Sequence, residues 1–323
     1  MKKTILWLVI ALCLVLLGFI VFGGAMWAMR WDFTKLSTID YETNYYEIDN
    51  QFSDIRISTT TADITFVPAE DLKYSVVCYE DVKLSHSVTV ENGVLSIEME
   101  NTRKWYDYIG IQMKTPKITV YLPRGAYGSL VISSGTSDVN IPNDFIFKNV
   151  DISLTTGDIT YLAPTYEKVK IKASTGDIRV ENITTGQLDL QVTTGDISVS
   201  NVTCDGDVGI KCSTGKTYIS DLACQNFVSE ANTGDISFSN AIMSGSLSVE
   251  RTTGDVIFTG CDAADISVKT STGDITGSFK TEKIFITETN TGDVVVPQTT
   301  SGGKCKIFTT TGDIVIEITS DKP

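Results

Sequence analysis

The sequence predicts an all-β protein, a single-stranded β-solenoid (β-helix or β-roll) of about ten coils that follows one N-terminal transmembrane helix. Three observations support this prediction. An apolar run occupies the first thirty residues, a Thr-Gly-Asp turn recurs every 19 or 20 residues, and apolar and polar residues alternate after each turn. A fixed period of this length is typical of a stacked repeat fold. The alternation is typical of strands with one buried face.

The N-terminal run predicts a membrane-spanning helix. Lys2 and Lys3 precede a stretch from Ile5 to Met29 that contains no charged residue. About twenty helical residues span a bilayer, and this run is longer. A cleaved signal peptide is the alternative, but its apolar region has roughly 7–15 residues and ends in an A-x-A-like site that is missing here. We therefore expect a retained single-pass anchor in the cell membrane. Because Lys2, Lys3 and the amino terminus outweigh Arg30, the N-terminus should be cytoplasmic and the remainder extracytoplasmic.

The part of the chain beyond the anchor is strongly acidic. The whole chain has a net charge of −14. The first thirty residues contribute three basic residues and no acidic one, so residues 31–323 carry −17. Such a field repels nucleic acid and anionic lipid and favours solubility, so no nucleic-acid partner is expected.

The cysteine and histidine content predicts neither a zinc site nor a disulfide framework. No C-x-x-C pair occurs, and His86 is the only histidine, which we interpret as a surface residue. Of the six cysteines beyond the anchor, Cys212, Cys261 and Cys305 fall at repeat phases that hold apolar residues in other coils, whereas Cys204 and Cys224 should be stacked neighbours that could form a disulfide. We expect all six to be small buried thiols, and we expect no cofactor. They are Cys78, Cys204, Cys212, Cys224, Cys261 and Cys305.

The pattern divides the chain into three parts. Residues 1–30 form a cytoplasmic tip and transmembrane signal anchor, 31–130 an irregular β lead-in that caps the solenoid, and 131–323 the Thr-Gly-Asp solenoid. In the lead-in, Asn92-Gly93 between two alternating segments is a strong hairpin signal. Lys117 to Leu122 alternates and is followed by proline, which predicts a strand that ends there.

Each turn glycine is predicted to occupy a corner of the coil. The flanking Thr and Asp can bond the turn's own backbone, and glycine reaches φ > 0 at least cost. A degenerate Thr136-Ser137-Asp138 stands one period before the first regular turn. The structural turn glycines are Gly157, Gly176, Gly195, Gly215, Gly234, Gly254, Gly273, Gly292 and Gly312.

The aspartates that follow these glycines are predicted to form a column along the solenoid. They either accept turn N–H bonds and remain solvated, or collect cations such as Ca²⁺ between neighbouring turns. Lys216 replaces one aspartate and would neutralise its neighbours, which favours the first interpretation. The column contains Asp158, Asp177, Asp196, Asp235, Asp255, Asp274, Asp293 and Asp313.

An aromatic cluster in the lead-in is the candidate recognition site. Trp105, Tyr106 and Tyr108 lie close to Arg103, outside the regular repeat. Aromatic residues with an arginine are typical of recognition surfaces, and also of loop anchors packed on a sheet. Both interpretations remain open.

These residues together resemble a bacterial family of candidate adhesins whose function is unknown. The resemblance rests on the signal anchor, on Asn92 to Ile97 in the lead-in, and on the serial S/T-T-G-D-I/V turns, and it covers roughly residues 45–320. It implies a membrane-anchored β-solenoid envelope protein, in some members beside envelope stress-response systems. It supplies no catalytic residues.

Three functions are compatible with these features. The leading hypothesis is a non-enzymatic, membrane-anchored envelope protein that serves as a structural or interaction scaffold for an unknown envelope protein or polysaccharide. The second is an envelope-stress accessory or sensor that acts on a membrane partner. The third is a carbohydrate-active β-helix enzyme, which would need carboxylates that interrupt the repeat on one face.

Overall fold

The computed structural model describes residues 2–32, 39–104 and 114–319. The N-terminal helix α1 (Lys2–Ala28) contains the predicted apolar run, and Thr4–Ala28 is long and apolar enough to cross a membrane. A membrane anchor and a signal sequence both fit such a helix near the N-terminus. Its apolar side chains are mostly exposed, as expected for a surface that would face lipid.

The remaining described elements are strands, which confirms the all-β class. The lead-in contains β1 (Tyr41–Ile48), β2 (Asp54–Thr59), β3 (Asp63–Pro68), β4 (Tyr74–Asp81), β5 (Leu84–Glu91), β6 (Val94–Asn101) and β7 (Lys117–Leu122). The repeat contains β8 (Gly125–Thr136), β9 (Val139–Ile141), β10 (Phe145–Thr156), β11 (Ile159–Tyr161), β12 (Thr165–Thr175), β13 (Ile178–Thr194), β14 (Ile197–Cys204), β15 (Val208–Thr214), β16 (Thr217–Cys224), β17 (Phe227–Thr233), β18 (Ile236–Ser239), β19 (Ile242–Thr253), β20 (Val256–Lys269), β21 (Ile275–Phe279), β22 (Lys283–Thr291), β23 (Val294–Val295), β24 (Gly303–Thr311) and β25 (Ile314–Ile318).

Successive coils stack in parallel, with equivalent residues side by side. Ile159 of β11 lies beside Ile178 of β13, which lies beside Ile197 of β14. All three side chains are buried, because alternation turns every second residue of these strands into the coil. Single strands stacked in this way confirm the predicted β-solenoid.

Each turn glycine occupies a tight corner of its coil. The φ angles of the turn glycines lie between 124° and 148°, a region that other residues reach only with strain. A Cβ atom on Gly195 would lie 2.1 Å from the carbonyl oxygen of Gly176 in the adjacent coil. The corner thus requires glycine both for its backbone conformation and for the close approach of the next backbone.

A second corner, which the sequence analysis did not identify, lies six residues after the turn glycine. Its residues have left-handed φ angles between 50° and 61°, which Asn, Asp and Gly tolerate best. Side chains from adjacent coils also bond there, since the amide of Asn201 donates to the amide oxygen of Asn182 at 2.8 Å. The members are Asn182, Asn201, Asp221, Asn240 and Gly260.

The lead-in contributes one complete coil to the stack and then caps it. β2 lies between β6 and β8, and β3 lies between β7 and β9, all in parallel. The antiparallel strands β1, β4 and β5 surround this end. The predicted hairpin at Asn92-Gly93 joins β5 to β6, with φ angles of 51° and 78° at the two residues. The division at residues 30 and 130 stays a prediction.

The order of the coils at the C-terminal end differs from their order along the chain. β24 pairs with β20 on one side and with β22 on the other. β25 likewise lies between β21 and β23. The coil of Gly312 is therefore inserted between the coils of Gly273 and Gly292. As a result, β22 and β23 form the outermost layer although they are not last in sequence.

Phenylalanine side chains fill the core near this end. Phe227, Phe238, Phe258 and Phe279 form a continuous stack in which successive ring centroids are 5.1 Å apart. Aromatic pairs at this distance add to the stabilisation from burial alone. The stack ends at Phe279 in the coil of Gly273, beneath the coils of Gly312 and Gly292.

Candidate functional site: the free end of the solenoid

The aspartate column is a ladder of hydrogen bonds between coils. The amide of Asp177 donates to Oδ1 of Asp158 at 2.8 Å, and the amide of Asp196 donates to Oδ1 of Asp177 at 2.8 Å. The ladder begins in the lead-in, where Asp63 accepts the amide of Asp138 at 3.1 Å. Each of these carboxylates therefore binds the turn of the next coil. A role of the column in cation binding stays a prediction.

Lys216 continues the ladder at the coil that has no aspartate. Its amide donates to Oδ1 of Asp196 at 2.7 Å, and its ammonium group lies 3.2 Å from the carboxylate of Asp235. The pKa of Asp235 is lowered, first because the amide of Asp255 donates to its carboxylate and second because Lys216 is adjacent. Lys216 thus stabilises the ionised form of its neighbour in the column.

The cysteines beyond the helix lie inside the protein. Cys78, Cys204, Cys212, Cys224, Cys261 and Cys305 are buried, and each has a free thiol. Burial raises the pKa of Cys224 and of Cys305 to about 12. Thiols of this kind pack as small apolar groups and react poorly.

The predicted recognition cluster of Trp105, Tyr106 and Tyr108 lies outside the described residues and stays a prediction. Arg103, which precedes it, is described. Its Nε donates to the carboxylate of Asp81 at 3.1 Å. This arginine therefore binds within the lead-in.

The interpretation of His86 as a surface residue is wrong. Its side chain is buried, with 3% of its surface exposed. His86 is in phase with Leu84 on β5, and both point inward because they are two residues apart. The surrounding serines suggested a polar surface, but the alternation of the strand determines the burial.

Sequence reasoning also missed a buried arginine. Arg251 occupies the inward phase that holds Ala231 and Cys212 in the two preceding coils. Its Nη2 donates to the hydroxyl of Ser229 at 2.9 Å, whereas Nε and Nη1 have no partner among the described residues. Burial lowers the pKa of this guanidinium to about 10. The position of Arg251 in the repeat could by itself have indicated that its side chain points inward.

The outermost coil has a free strand edge. β22 pairs with β24, and no described strand pairs with its other edge. The loop before β24 covers only the beginning of that edge, where the hydroxyl of Thr299 donates to the carbonyl of Lys283. The amide of Asp293 donates to Asp313 at 2.8 Å, but no described amide donates to the carboxylate of Asp293. The outermost coil thus has the same strand edge and turn aspartate as the inner coils, but no described coil pairs with them on the outer side.

Apolar side chains are exposed around this edge. Val294 is 42% exposed, whereas Ile275 and Ile314, at the same phase in the two coils beneath it, are fully buried. Ile284, Ile286 and Val295 are also exposed. A long strand edge with exposed apolar residues readily pairs with another chain. We call residues 283–296 the free end.

The exposed charges of the outermost coil are acidic. Glu282, Glu288 and Asp293 are exposed, whereas Lys283 is buried and bonded to Asp262 at 2.5 Å. The paired strand β24 adds the exposed Lys304 and Lys306 beside Ile284 and Ile286. The edge itself therefore offers backbone groups, apolar side chains and carboxylates to a partner.

A family model described as Toastrack DUF4097 matches residues 52–211 and 205–322. The match includes the lead-in coil, the regular repeat and the free end. No curated protein matches the chain significantly.

Several crystal structures are similar to the chain. A candidate adhesin from Bacteroides fragilis has 18% identity, covers 74% of this chain and 97% of its own, and has a TM-score of 0.45. A candidate lipid-binding protein from Parabacteroides distasonis has 18% identity, coverage of 75% and 98%, and a TM-score of 0.48. A candidate adhesin from the same organism has 10% identity, coverage of 75% and 98%, and a TM-score of 0.47. At TM-scores below 0.5, these likenesses assign no ligand and no role to the chain.

Proposed function

The chain belongs to the Toastrack DUF4097 family, and we propose that it is a non-enzymatic, membrane-anchored scaffold of the cell envelope. Its free end would bind an extended segment of another envelope protein. The observation that carries this proposal is the edge of β22 with which no described strand pairs, together with the exposed apolar residues beside it. Addition of a strand to such an edge is a common mode of peptide recognition.

The N-terminal helix supports the location. We propose that Thr4–Ala28 remains in the cell membrane as a single-pass anchor. The basic residues Lys2 and Lys3 would keep the N-terminus cytoplasmic. The lead-in caps the end of the solenoid next to the helix in sequence, so the free end lies at the opposite end of the coil stack. In this arrangement the solenoid presents the free end to partners in the envelope.

The charges favour a different protein over a second copy of this chain. Two copies that met at their free ends would bring Glu288 and Asp293 of both chains together, and like charges that oppose each other in a sheet are destabilising. The capped end of the solenoid offers antiparallel strands, which do not continue the parallel stack. An extended segment with alternating apolar and basic residues would complement both the edge and its carboxylates.

Site-specific photo-crosslinking in cells can test this function. A photoreactive residue would replace Ile284 at the free end or, as the matched control, Ile257 on β20, which has the same exposed fraction of 41%. Illumination of cells that produce the full chain should yield an adduct at position 284 and not at 257. Mass spectrometry should map the adduct to an extended apolar and basic segment of another protein, and Val294→Lys should reduce it at least tenfold.

Three outcomes would contradict the proposal. They are no adduct at position 284, equal adducts at both positions, and an adduct whose partner is a second copy of this chain. Ile257 has the same residue type and exposure as Ile284 but lies in an interior coil. An adduct at position 257 therefore reports only non-specific contact.

A further inference from the structure

A cluster of three different metal-ligating side chains lies buried in the lead-in, far from the free end. Cys78 and Glu80 are two residues apart on β4, so they share one face of the strand. The side chain of His86 on β5 lies next to them. Their exposed fractions are 0%, 1% and 3%. One ligand atom from each residue lies within 4.8 Å of the other two.

Hydrogen bonds from neighbouring strands orient two of these side chains. Nε2 of His86 lies 2.8 Å from the hydroxyl of Thr59 on β2, and Nδ1 lies 2.5 Å from Oε2 of Glu80. The other oxygen of Glu80 accepts the side-chain amide of Asn44 on β1 at 2.7 Å. Ligating histidines and carboxylates in metalloproteins are held in this way by partners outside the ligand set.

We propose that Cys78, Glu80 and His86 form a three-ligand site for a divalent cation of borderline softness, with Zn²⁺ as the best fit. One sulfur, one nitrogen and one oxygen are donors that Zn²⁺ accepts together, with water at the fourth position. Tetrahedral coordination at normal bond lengths separates such donors by roughly 3.3–3.6 Å. Binding would therefore require Nδ1 of His86 and Oε2 of Glu80 to move apart by about 1 Å, while the backbone amide of His86 also donates to Oε2 at 2.8 Å.

The charge balance of the site supports a divalent cation. A thiolate and a carboxylate carry two negative charges, and a neutral imidazole adds none. A doubly charged cation would make the buried group neutral overall, which removes most of the cost of burying the charges. On binding, the thiol proton leaves to solvent and the hydrogen bond between Nδ1 of His86 and Oε2 of Glu80 breaks. The neutral imidazole then carries its proton on Nε2, beside the hydroxyl of Thr59. Bonds form from sulfur, Nδ1 and the carboxylate oxygen to the metal, which releases water ligands in exchange.

The same residues could also suggest a hydrolase triad. Thr59, His86 and Glu80 are bonded in the order hydroxyl, imidazole, carboxylate, as in serine hydrolases. However, all three side chains are buried, so a substrate cannot reach the hydroxyl. A metal ion also needs an entry path, but a much narrower one than a substrate needs.

Metal binding by the purified full-length chain in detergent can test the proposal. After treatment with a chelator and its removal, the protein would be titrated with Zn²⁺ against a chromophoric competitor, and bound zinc would be measured by elemental analysis. Co²⁺ would be added separately as a spectroscopic probe of thiolate ligation. The variants would be Cys78→Ser, His86→Gln and Thr59→Val, with Cys305→Ser as the control. Cys305 is equally buried and lies in no such cluster among the described residues.

The expected result is one zinc ion per chain for the native protein and for Cys305→Ser, with a cobalt–thiolate charge-transfer band in both. Cys78→Ser should abolish the band, and Cys78→Ser and His86→Gln should each weaken zinc binding at least tenfold. Thr59→Val keeps all three ligands and should weaken binding about 10–100-fold through loss of orientation.

The absence of stoichiometric zinc and of the cobalt band in the native protein would overturn the proposal, whatever the variants do. Equal binding by the native protein and Cys78→Ser would also overturn it. Circular dichroism of each variant identifies loss of β-structure, and a misfolded variant leaves the native protein and Cys305→Ser to decide the outcome.

Discussion

Lys216 is the one basic residue in the aspartate column, and it has two separate contacts there. Its backbone continues the hydrogen-bond ladder at Asp196, and its ammonium group approaches Asp235. The backbone contact does not depend on the side chain, because the amide donates whatever residue is present. A substitution at this position therefore isolates the electrostatic contribution.

We expect Lys216→Met to lower the free energy of unfolding at neutral pH slightly, because exposed ion pairs contribute little stability. The pKa of Asp235 is depressed in the folded state. A depressed carboxyl pKa contributes stability above its unfolded value, and this contribution disappears as the pH falls through the folded value. The difference between native protein and variant should therefore shrink as the pH falls below about 4, the ordinary range of an aspartate pKa, as measured by urea unfolding.

Lys269→Met is the control for this experiment. Its ammonium lies 3.5 Å from Glu250, and both side chains are 64% exposed, so we expect a smaller effect. A difference for Lys216→Met that grows as the pH falls would contradict the assignment.

At the residue scale, the position of a residue in the alternation of its strand predicted its burial better than its residue type did. The apolar phases correctly placed the cysteines inside. His86 was misplaced because its polar neighbours outweighed its phase with Leu84. Arg251 was overlooked although it shares an inward phase with Ala231 and Cys212. Hydrogen bonds between distant strands, such as His86 to Thr59, cannot be read from a local pattern. The cluster with Cys78 and Glu80 has no metal-binding motif in sequence and depends on the fold.

The coil corner is the element that the repeat specifies best. At Gly195 the φ angle is 142°, and the adjacent backbone leaves no space for a side chain. Any Cβ there would meet backbone atoms of Gly176, which cannot rotate away.

We expect Gly195→Ala to destabilise the protein by roughly 3 kcal/mol or more, because strain and a steric clash with backbone add together. Gly209→Ala is the matched control in the next coil. A Cβ atom at Gly209 meets nothing within 4 Å, and its φ angle is not in the left-handed region. Replacement there should be neutral or stabilise by up to about 1 kcal/mol. Chemical unfolding of both variants measures the contrast, and equal effects would rule out this account of the corner.

The first corner could be predicted because glycine and aspartate recur there with little variation. The second corner was missed because Asn, Asp and Gly share it, so no single letter repeats. Their common property is tolerance of the left-handed conformation. A search for that property at six residues after each turn would have found Asn182, Asn201, Asp221, Asn240 and Gly260.

For the whole molecule, the sequence predicted the number and period of the coils but not their order in space. Every coil presents the same corner and the same alternation, so the repeat does not specify which coil lies beside which. The inserted coil of Gly312 is therefore a property of the whole chain. The same limitation concealed the free end, which would otherwise be expected at residues 303–318.

Disulfide cross-linking can test this order. Ser267 lies beside Lys306, and Lys306 lies beside Ile286. Adjacent strands are about 4.8 Å apart, within reach of a disulfide, whereas strands two layers apart are about 10 Å apart and beyond it. The cysteine pairs 267/306 and 306/286 should therefore form disulfides under mild oxidation, and the pair 267/286 should not. Peptide mass spectrometry would detect each product, and rapid formation of the 267/286 disulfide would establish consecutive stacking instead.

The inserted coil also has a consequence for biosynthesis. A chain that leaves the ribosome N-terminus first can add coils in order as far as Gly273. Residues 283–296 emerge next, but their partner strands β24 and β25 are still to be made. Strands β24 and β25 emerge last. They must then enter between the coils of Gly273 and Gly292, whether these two coils have already stacked or are still separate. The free end therefore acquires its final form only after synthesis is complete, and a prematurely terminated chain could not build it in this arrangement.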